Sequence, residues 1–141
     1  MRVVEVIDAW GHPNISAQNR TTFEITRDDH LTLRGDCIIA IKASKGAKDL
    51  SEEFKSLVRS ENATITIIIE AGTSKDVVVG RGHPHLTLSH PHDLVVRKST
   101  YVSDRTLAVG ANKTAFNFSK NLKIELQKPF QKVTITLIVE V

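Results

Sequence analysis

Short apolar stretches with alternating or β-branched residues recur along the chain and predict strands. Some alternate apolar and polar side chains, as a half-buried strand does, and others are uninterrupted runs typical of a buried strand. Eight such segments occur, at residues 3–9, 21–26 and 37–43, from Thr64 onward, at residues 77–79, 93–98 and 106–111, and from Thr134 onward. Turn-forming residues separate them, so the pattern indicates a β-rich chain.

Two segments have the spacing of an amphipathic helix instead. Apolar residues recur at Leu50, Phe54, Leu57 and Val58, and again at positions 118, 122 and 126. Ser44 precedes the first group and Asn112 the second, and both residue types are good N-caps. We therefore predict one helix after each of these two residues.

Three blocks of sequence occur twice in the same order. "GHPN" at residue 11 returns as "GHPH" at residue 82, the stretch from Asp36 aligns without gaps on that from Asp104, and "TITIIIEA" at residue 64 matches "TITLIVEV" at residue 134. The offsets are 71, 68 and 70 residues in a chain of 141. We interpret this as an internal duplication with repeats at about 1–72 and 73–141, the alternative being chance similarity between β-rich segments.

Each repeat has the order strand, strand, strand, helix, strand. The predicted fold is therefore an α+β, β-rich single domain, residues 1–141, with about eight strands, two helices and pseudo-twofold symmetry. A β-sandwich and a closed barrel both satisfy this pattern, because periodicity does not reveal how the strands pair.

The segments "GHPN", "TTFEIT", "LTLRGDCIIAIKA", "RKSTYVSDRTL" and "ANKTA" together resemble an archaeal family known as domain of unknown function 371. The resemblance covers nearly the whole chain. It implies a small archaeal protein with a β-rich fold of sandwich type, and it supplies no assigned activity and no catalytic residues. Asp is common in the family where this chain has Ser44 and Asn112, which would remove two carboxylates.

Composition limits the cellular setting. A single cysteine, Cys37, excludes an intramolecular disulfide, and the start "MRVVEVIDAW" lacks the features of a signal peptide. No apolar run approaches the ~20 residues that cross a bilayer. We therefore expect a cytoplasmic protein without membrane insertion, and a homo-oligomer is compatible with the sequence.

Four of the six histidines lie within ten positions, at His83, His85, His90 and His92. In an extended chain residues i and i+2 share a face, so each pair could hold one metal ion such as Zn, Fe, Ni or Mn. The prolines between them place the segment in a loop or at a sheet edge. The first repeat keeps His12 but has no equivalent of the later pair, so a metal site would belong to one repeat. A divalent-metal-dependent enzyme is therefore one alternative.

The preferred alternative is an anion site. Lys45 and Lys113 would each follow an N-cap, where a cation is unfavourable unless an anion joins it. The alternative is that each lysine pairs with a neighbouring carboxylate such as Asp36 or Asp104. The net charge of +3 also favours anionic ligands. We expect a phosphate-bearing ligand, either a nucleotide or RNA, although the few aromatic residues weaken base stacking. The expected contacts are His12, His83, His85, Lys45, Lys113, Arg97, Lys98 and Arg105. No catalytic residue is predicted, and an interaction module without chemistry stays open.

Overall fold

The predicted eight strands and two α-helices are confirmed in the expected order by the computed structural model, which describes all 141 residues. They are β1 (Arg2–Trp10), β2 (Thr22–Thr26), β3 (Ile38–Ala40), α1 (Glu52–Val58), β4 (Thr64–Ala71), β5 (Ser74–Arg81), β6 (Asp93–Arg97), β7 (Thr106–Ala108), α2 (Lys120–Leu126) and β8 (Lys132–Glu140). A 3-10 turn precedes each helix, at Ala47–Asp49 and Ala115–Asn117. The fold is thus α+β.

The strands form two separate four-stranded sheets. The first has the order β1-β8-β4-β5 and is antiparallel throughout. The second has the order β3-β2-β6-β7, in which β2 and β6 are antiparallel and each outer strand runs parallel to its neighbour. No strand ladder joins the two sheets, and only isolated bridges, Trp10 with Ile41 and Arg81 with Val109, link their edges. The closed-barrel alternative is therefore wrong, and the two-sheet arrangement is confirmed.

One continuous hydrophobic core joins the inner faces of both sheets and the two helices. Along β1, Ile7 and Ala9 are fully buried while Asp8 between them is exposed, so the alternation of the sequence matches the pleat. Helix α1 packs on β1 and β8, and α2 packs on β5 and β4. With seven residues each, neither helix has the length or the apolar character needed to cross a bilayer.

The helices begin later than the sequence suggested. Ser51 caps α1 by accepting a hydrogen bond from Phe54 N at 3.1 Å, and Ser119 caps α2 by accepting one from Leu122 N at 3.2 Å. The predicted N-caps are wrong because the intervening residues form the 3-10 turns. Ser44 Oγ and Asn112 Oδ1 instead accept hydrogen bonds from strand amides, Asp8 N at 3.0 Å and Val79 N at 2.9 Å.

The "GHP" turns close the C-terminal ends of the helices, where carbonyl groups lack partners within the helix. His12 N donates to Leu126 O at 3.0 Å at the end of α2, and His83 N donates to Val58 O at 2.9 Å at the end of α1. The approach is so close that only glycine fits before each histidine. A Cβ on Gly11 would lie 2.6 Å from Leu126 O, and one on Gly82 would clash with Val58 O.

We expect Gly11→Ala to lower the free energy of unfolding by about 2–3 kcal/mol, because backbone carbonyls cannot yield to a new methyl group. Urea denaturation measures the change. Gly35→Ala is the matched control, since its Cβ would meet the flexible end of Leu31 at 2.7 Å and should cost less than about 1 kcal/mol. Equal losses in the two variants would contradict this account of the turn.

Candidate functional site

The His-Pro sequences form three turns of one kind. In each turn, Nδ1 of the histidine accepts a hydrogen bond from the backbone N–H two residues later: His12 from Asn14 N at 2.9 Å, His83 from His85 N at 3.1 Å and His90 from His92 N at 3.1 Å. An accepting Nδ1 leaves the proton of a neutral imidazole on Nε2. Only Nε2 of these histidines is then free to contact a ligand.

The four clustered histidines lie in the loop between β5 and β6, as expected, with Leu86 and Leu88 fully buried beneath them. They remain two pairs, with ring centroids 5.3 Å apart for His83 and His85 and 6.3 Å apart for the later pair. No three His, Cys, Asp or Glu side chains anywhere in the chain converge in a geometry that could hold a metal ion. A zinc site normally uses three or four protein ligands, so the metal site expected at these histidines has no third ligand of these types and stays a prediction.

Lys45 and Lys113 each have an internal anionic partner. Lys45 Nζ lies 2.7 Å from Glu5 Oε2, and Lys113 Nζ lies 3.0 Å from Asp76 Oδ1. The same two carboxylates accept the backbone N–H of the helix caps, Ser51 at 3.0 Å and Ser119 at 2.8 Å. Each lysine therefore helps to fasten a helix start to an edge strand.

Glu5 illustrates how strong this link is. Burial by itself would raise the pKa of the Glu5 carboxyl, but the hydrogen bonds from Lys45 and from Ser51 N outweigh it and leave the pKa below its usual value. The carboxylate is thus held ionised, which favours a permanent pairing with the lysine.

Arg97 and Arg105 come together on the outer face of the second sheet. Arg105 Nη1 bridges two carboxylates, Glu24 Oε1 at 3.0 Å and Asp93 Oδ2 at 3.1 Å. Arg97 donates to Thr106 Oγ1 at 2.9 Å and to Ser103 Oγ at 3.1 Å. Both guanidinium groups are therefore engaged within the protein.

The other predicted contacts lie apart from these arginines. Lys98 is exposed immediately after β6, and His85 is exposed in the loop. Asp93, which Arg105 contacts, also lies 3.9 Å from His90 Nε2, and His92 Nδ1 lies 3.7 Å from Asp28 Oδ1. The expected residues thus divide among several places and do not form one anion site.

The sequence analysis did not identify Glu24, the central residue of β2, as a candidate functional residue. Burial, and then the nearby Asp93 carboxylate, raise its pKa to about 7, although Arg105 and Arg97 oppose the shift. The alternating pattern of "TTFEIT" suggests that Glu24 faces water, whereas it is only 7 % exposed. Burial, followed by the charge of Glu24, also raises the pKa of the nearby Cys37 thiol to about 11, so this cysteine is a poor nucleophile at neutral pH.

A cleft of about 410 Å³ lies where β1 ends. It is lined by Trp10, Gly11, His12, Pro13, Asp29, Ile41, Lys42, Pro129 and Phe130. Trp10 is 36 % exposed and Phe130 is 85 % exposed, so the cleft has aromatic side chains open to water. Lys42 and Phe130 both have left-handed backbone conformations, with φ of 53° and 63°.

A second cleft, of about 280 Å³, lies at the corresponding end of β5. It is lined by Glu61, Arg81, Gly82, His83, Thr100 and Val109. His83 takes the place that His12 has in the first cleft, but no aromatic side chain and no lysine is present. Two clefts of related construction thus differ in the chemistry of their walls.

Stability should fall as pH rises from about 5 to about 7. Because the folded-state pKa of Glu24 is raised to about 7 from 4.5, the folded protein binds more protons than the unfolded chain between these values. The contribution of Glu24 is complete below pH 4.5 and is lost as pH passes the folded-state pKa, by up to roughly 3 kcal/mol.

Urea denaturation between pH 5 and pH 8 measures this slope. Glu24→Gln, which cannot ionise, should flatten it, while Glu61→Gln at an exposed position should leave it unchanged. If Glu24→Gln unfolds with the same pH dependence as the native chain, burial does not raise the pKa of this carboxyl.

Comparison with known proteins agrees with the motifs of the sequence. The family model described as "Domain of unknown function (DUF371)" matches residues 7–140. An uncharacterized protein of the archaeon Methanocaldococcus jannaschii is 45% identical over 123 residues, which cover 87% of this chain and 90% of that protein. The chain therefore belongs to the DUF371 family.

Proposed function

We propose that the cleft beside His12 binds a small phosphate-bearing ligand that contains a planar ring, such as a nucleotide. The observation that carries this proposal is the exposed Lys42, which forms no ion pair and lines a cleft together with two exposed aromatic side chains. The cleft volume of about 410 Å³ lies within the range of roughly 300–1,000 Å³ that is usual for small-molecule sites.

Trp10 and Phe130 supply surfaces for the ring. Base-aromatic stacking contributes about 1–3 kcal/mol for each base, and it tolerates different bases because each has a π-face. In the sequence, the small number of aromatic residues is an argument against base stacking. Two of the few present nevertheless line the same cleft, at 36 % and 85 % exposure.

Lys42 and His12 supply donors for the phosphate. The ammonium group of Lys42 is a point charge with three donors, and Nε2–H of His12 is free because Nδ1 is engaged by Asn14 N. Charge-assisted hydrogen bonds to phosphate oxygens are about twice as strong as neutral ones. Asp29, on another wall, is an acceptor suited to a sugar hydroxyl or a ring amino group.

The backbone at Lys42 gives independent support. In the ungapped alignment of the two halves, Lys42 corresponds to Gly110, and the two have nearly the same φ, 53° and 59°. Glycine adopts this conformation without strain, whereas other residues lose about 1–3 kcal/mol. A lysine at a position where glycine is less strained favours a role for its side chain.

Of the residues predicted to bind an anion, we therefore retain His12, together with the residues that line its cleft. Lys45, Lys113, Arg97 and Arg105 have partners inside the protein, and His83 belongs to the smaller cleft. A metal-dependent enzyme at the clustered histidines stays a prediction that no third ligand supports. RNA binding and an interaction module without chemistry also stay predictions.

The internal duplication belongs to the same proposal, because it explains why two clefts are present. The strand orders β1-β8-β4-β5 and β3-β2-β6-β7 are unchanged when the halves are exchanged. Trp10 pairs with Ile41 as Arg81 pairs with Val109. The pairing of the edge strands differs, however: Glu5 lies opposite Leu137, whereas Asp76 lies opposite Ile69, which is two residues away from the position that an exact repeat would give.

A crystal structure should allow residues 1–72 to be superposed on residues 73–141. We expect Gly11 to fall on Gly82, Asp36 on Asp104 and Lys45 on Lys113, with the two-residue offset confined to β1 and β5. Different topologies in the two halves would refute the duplication.

Lys42→Gly tests the ligand. Because Trp10 is the only tryptophan, quenching of its fluorescence reports binding of nucleoside monophosphates, inorganic phosphate, unphosphorylated nucleosides and short RNA. We expect Lys42→Gly to raise the Kd of a nucleotide at least about tenfold, by loss of a charge-assisted contact. Nucleoside affinity should hardly change, because the stacking surfaces remain.

The variant should also keep its stability within about 1 kcal/mol, since relief of left-handed strain offsets the greater entropy of an unfolded glycine. Lys98→Gly, at an exposed position outside the cleft, is the control and should bind like the native chain. The proposal fails if nucleotides cause no quenching at millimolar concentration, or if Lys42→Gly binds them with native affinity. Quenching by RNA alone would shift the assignment to a nucleic acid.

A further inference from the structure

The outer face of the first sheet is apolar although it faces water. Four valines point outward from its edge strands: Val4 at 45 % and Val6 at 49 % exposure on β1, and Val77 and Val79 at 38 % each on β5. Antiparallel sheets with one solvated face normally place polar residues there. Exposed apolar residues that form a continuous patch mark a site of interaction.

The strand register makes this patch continuous. Val4, Ile138, Thr66 and Val79 lie side by side in one row across the four strands, and Val6, Thr136, Ile68 and Val77 lie in the next. The residues on the central strands are half-buried. Each row therefore has three aliphatic side chains and one threonine, and no charge interrupts the two rows.

We propose that a second copy of this chain docks on this face, so that the protein is a dimer in which the first sheets of two copies pack together. Sheets that pack face to face are a standard solution for covering apolar strand faces, with about 10 Å between them. A surface that binds itself about a twofold axis needs no other partner to cover it.

The size of the face suits this partner. Four strands about 4.8 Å apart and eight residues long at about 3.3 Å per residue give a projected area of roughly 500 Å². The accessible surface buried on each copy is larger than this projected area, because side chains make the face uneven and residues around the sheet also contribute. It approaches the roughly 600–800 Å² of a small specific dimer.

Charged residues lie in the rows at either end of the patch. One end row contains Arg2, Glu140 and Arg81; the other contains Asp8, Glu70 and Lys75, and Lys132 Nζ lies 3.6 Å from Asp8 Oδ1. A twofold axis parallel to the strands would place like rows together. We assign the arrangement with the axis across the strands, which places Arg2 near Asp8 of the second copy, whereas a parallel axis would place Arg2 near Arg81 of that copy.

Sedimentation equilibrium and light scattering test the dimer. We expect the native chain to have twice its monomer mass at micromolar concentration. The variant Val6→Lys with Val77→Lys places four lysines in the interface and should weaken association at least about 100-fold. Leu33→Lys with Ile124→Lys, at exposed apolar positions outside this face, is the matched control and should remain a dimer. Thermal unfolding checks that both variants fold.

The arrangement is tested by exchanging two charges. Arg2→Glu and Asp8→Arg should each weaken association several-fold, and the combined variant should regain most of the loss.

A native chain that stays monomeric at millimolar concentration overturns the proposal and leaves the face to a different partner. A dimer that survives Val6→Lys with Val77→Lys overturns it as well, because another surface must then hold the copies together. Purely additive losses from the two exchanged charges overturn the crossed arrangement.

Discussion

The carbonyl groups at the C-terminal end of each helix need partners, and the way they are satisfied ties the two halves of the chain together. Gly11 and His12, which follow β1, close the end of α2, while Gly82 and His83, which follow β5, close the end of α1. Each edge strand must therefore run to the helix of the other half. Since β1 also pairs with β8, and β5 with β4, neither half satisfies its own helix end or completes its own sheet.

This constraint fixes the backbone of the turns but leaves the neighbouring side chains free to differ. The glycine lets the turn approach the end of the helix, and the histidine N–H donates to a helix carbonyl there. The histidine ring stabilises the turn, because Nδ1 accepts a hydrogen bond from the backbone N–H two residues later. Trp10 and Lys42 then stand beside one turn, and Arg81 and Gly110 beside the other. Two turns with similar backbone contacts can thus stand beside an aromatic, cationic cleft in one place and a smaller polar cleft in the other.

Sequence patterns predicted the features that depend on neighbours close along the chain. Alternation and helical spacing gave eight strands, two helices and the loop position of the clustered histidines. The start of α1 was misplaced because Ser44 and Ser51 are equally good N-caps, and the 3-10 turn between them has no strong pattern. The choice between two sheets and a barrel depends on hydrogen bonds at β3 and β7, strands of three residues whose partners periodicity does not identify.

Contacts between side chains that are distant in sequence could not be predicted from these local patterns. Lys45 meets Glu5 across 40 residues, and Arg105 meets Glu24 across 81. The pattern around a residue indicates which face of its strand or helix that residue occupies. It does not indicate which charged side chain from a distant part of the sequence will lie beside it. The burial of Glu24 was unforeseen for this reason, and Lys45 and Lys113 pair with Glu5 and Asp76 rather than with Asp36 or Asp104.

The cluster around Glu24 contains two of the cations expected to bind an anion, Arg97 and Arg105. The second sheet has strands of only three to five residues, so few ladder hydrogen bonds hold it. Arg105 ties β2 to β6 through Glu24 and Asp93, and Arg97 ties β6 to β7 through Thr106. A carboxyl whose pKa is raised by burial weakens the fold at neutral pH, but removing it would leave Arg105 with one partner fewer. The arginines thus serve the second sheet, and Lys42 is left as a cation that lines a cleft without an internal partner.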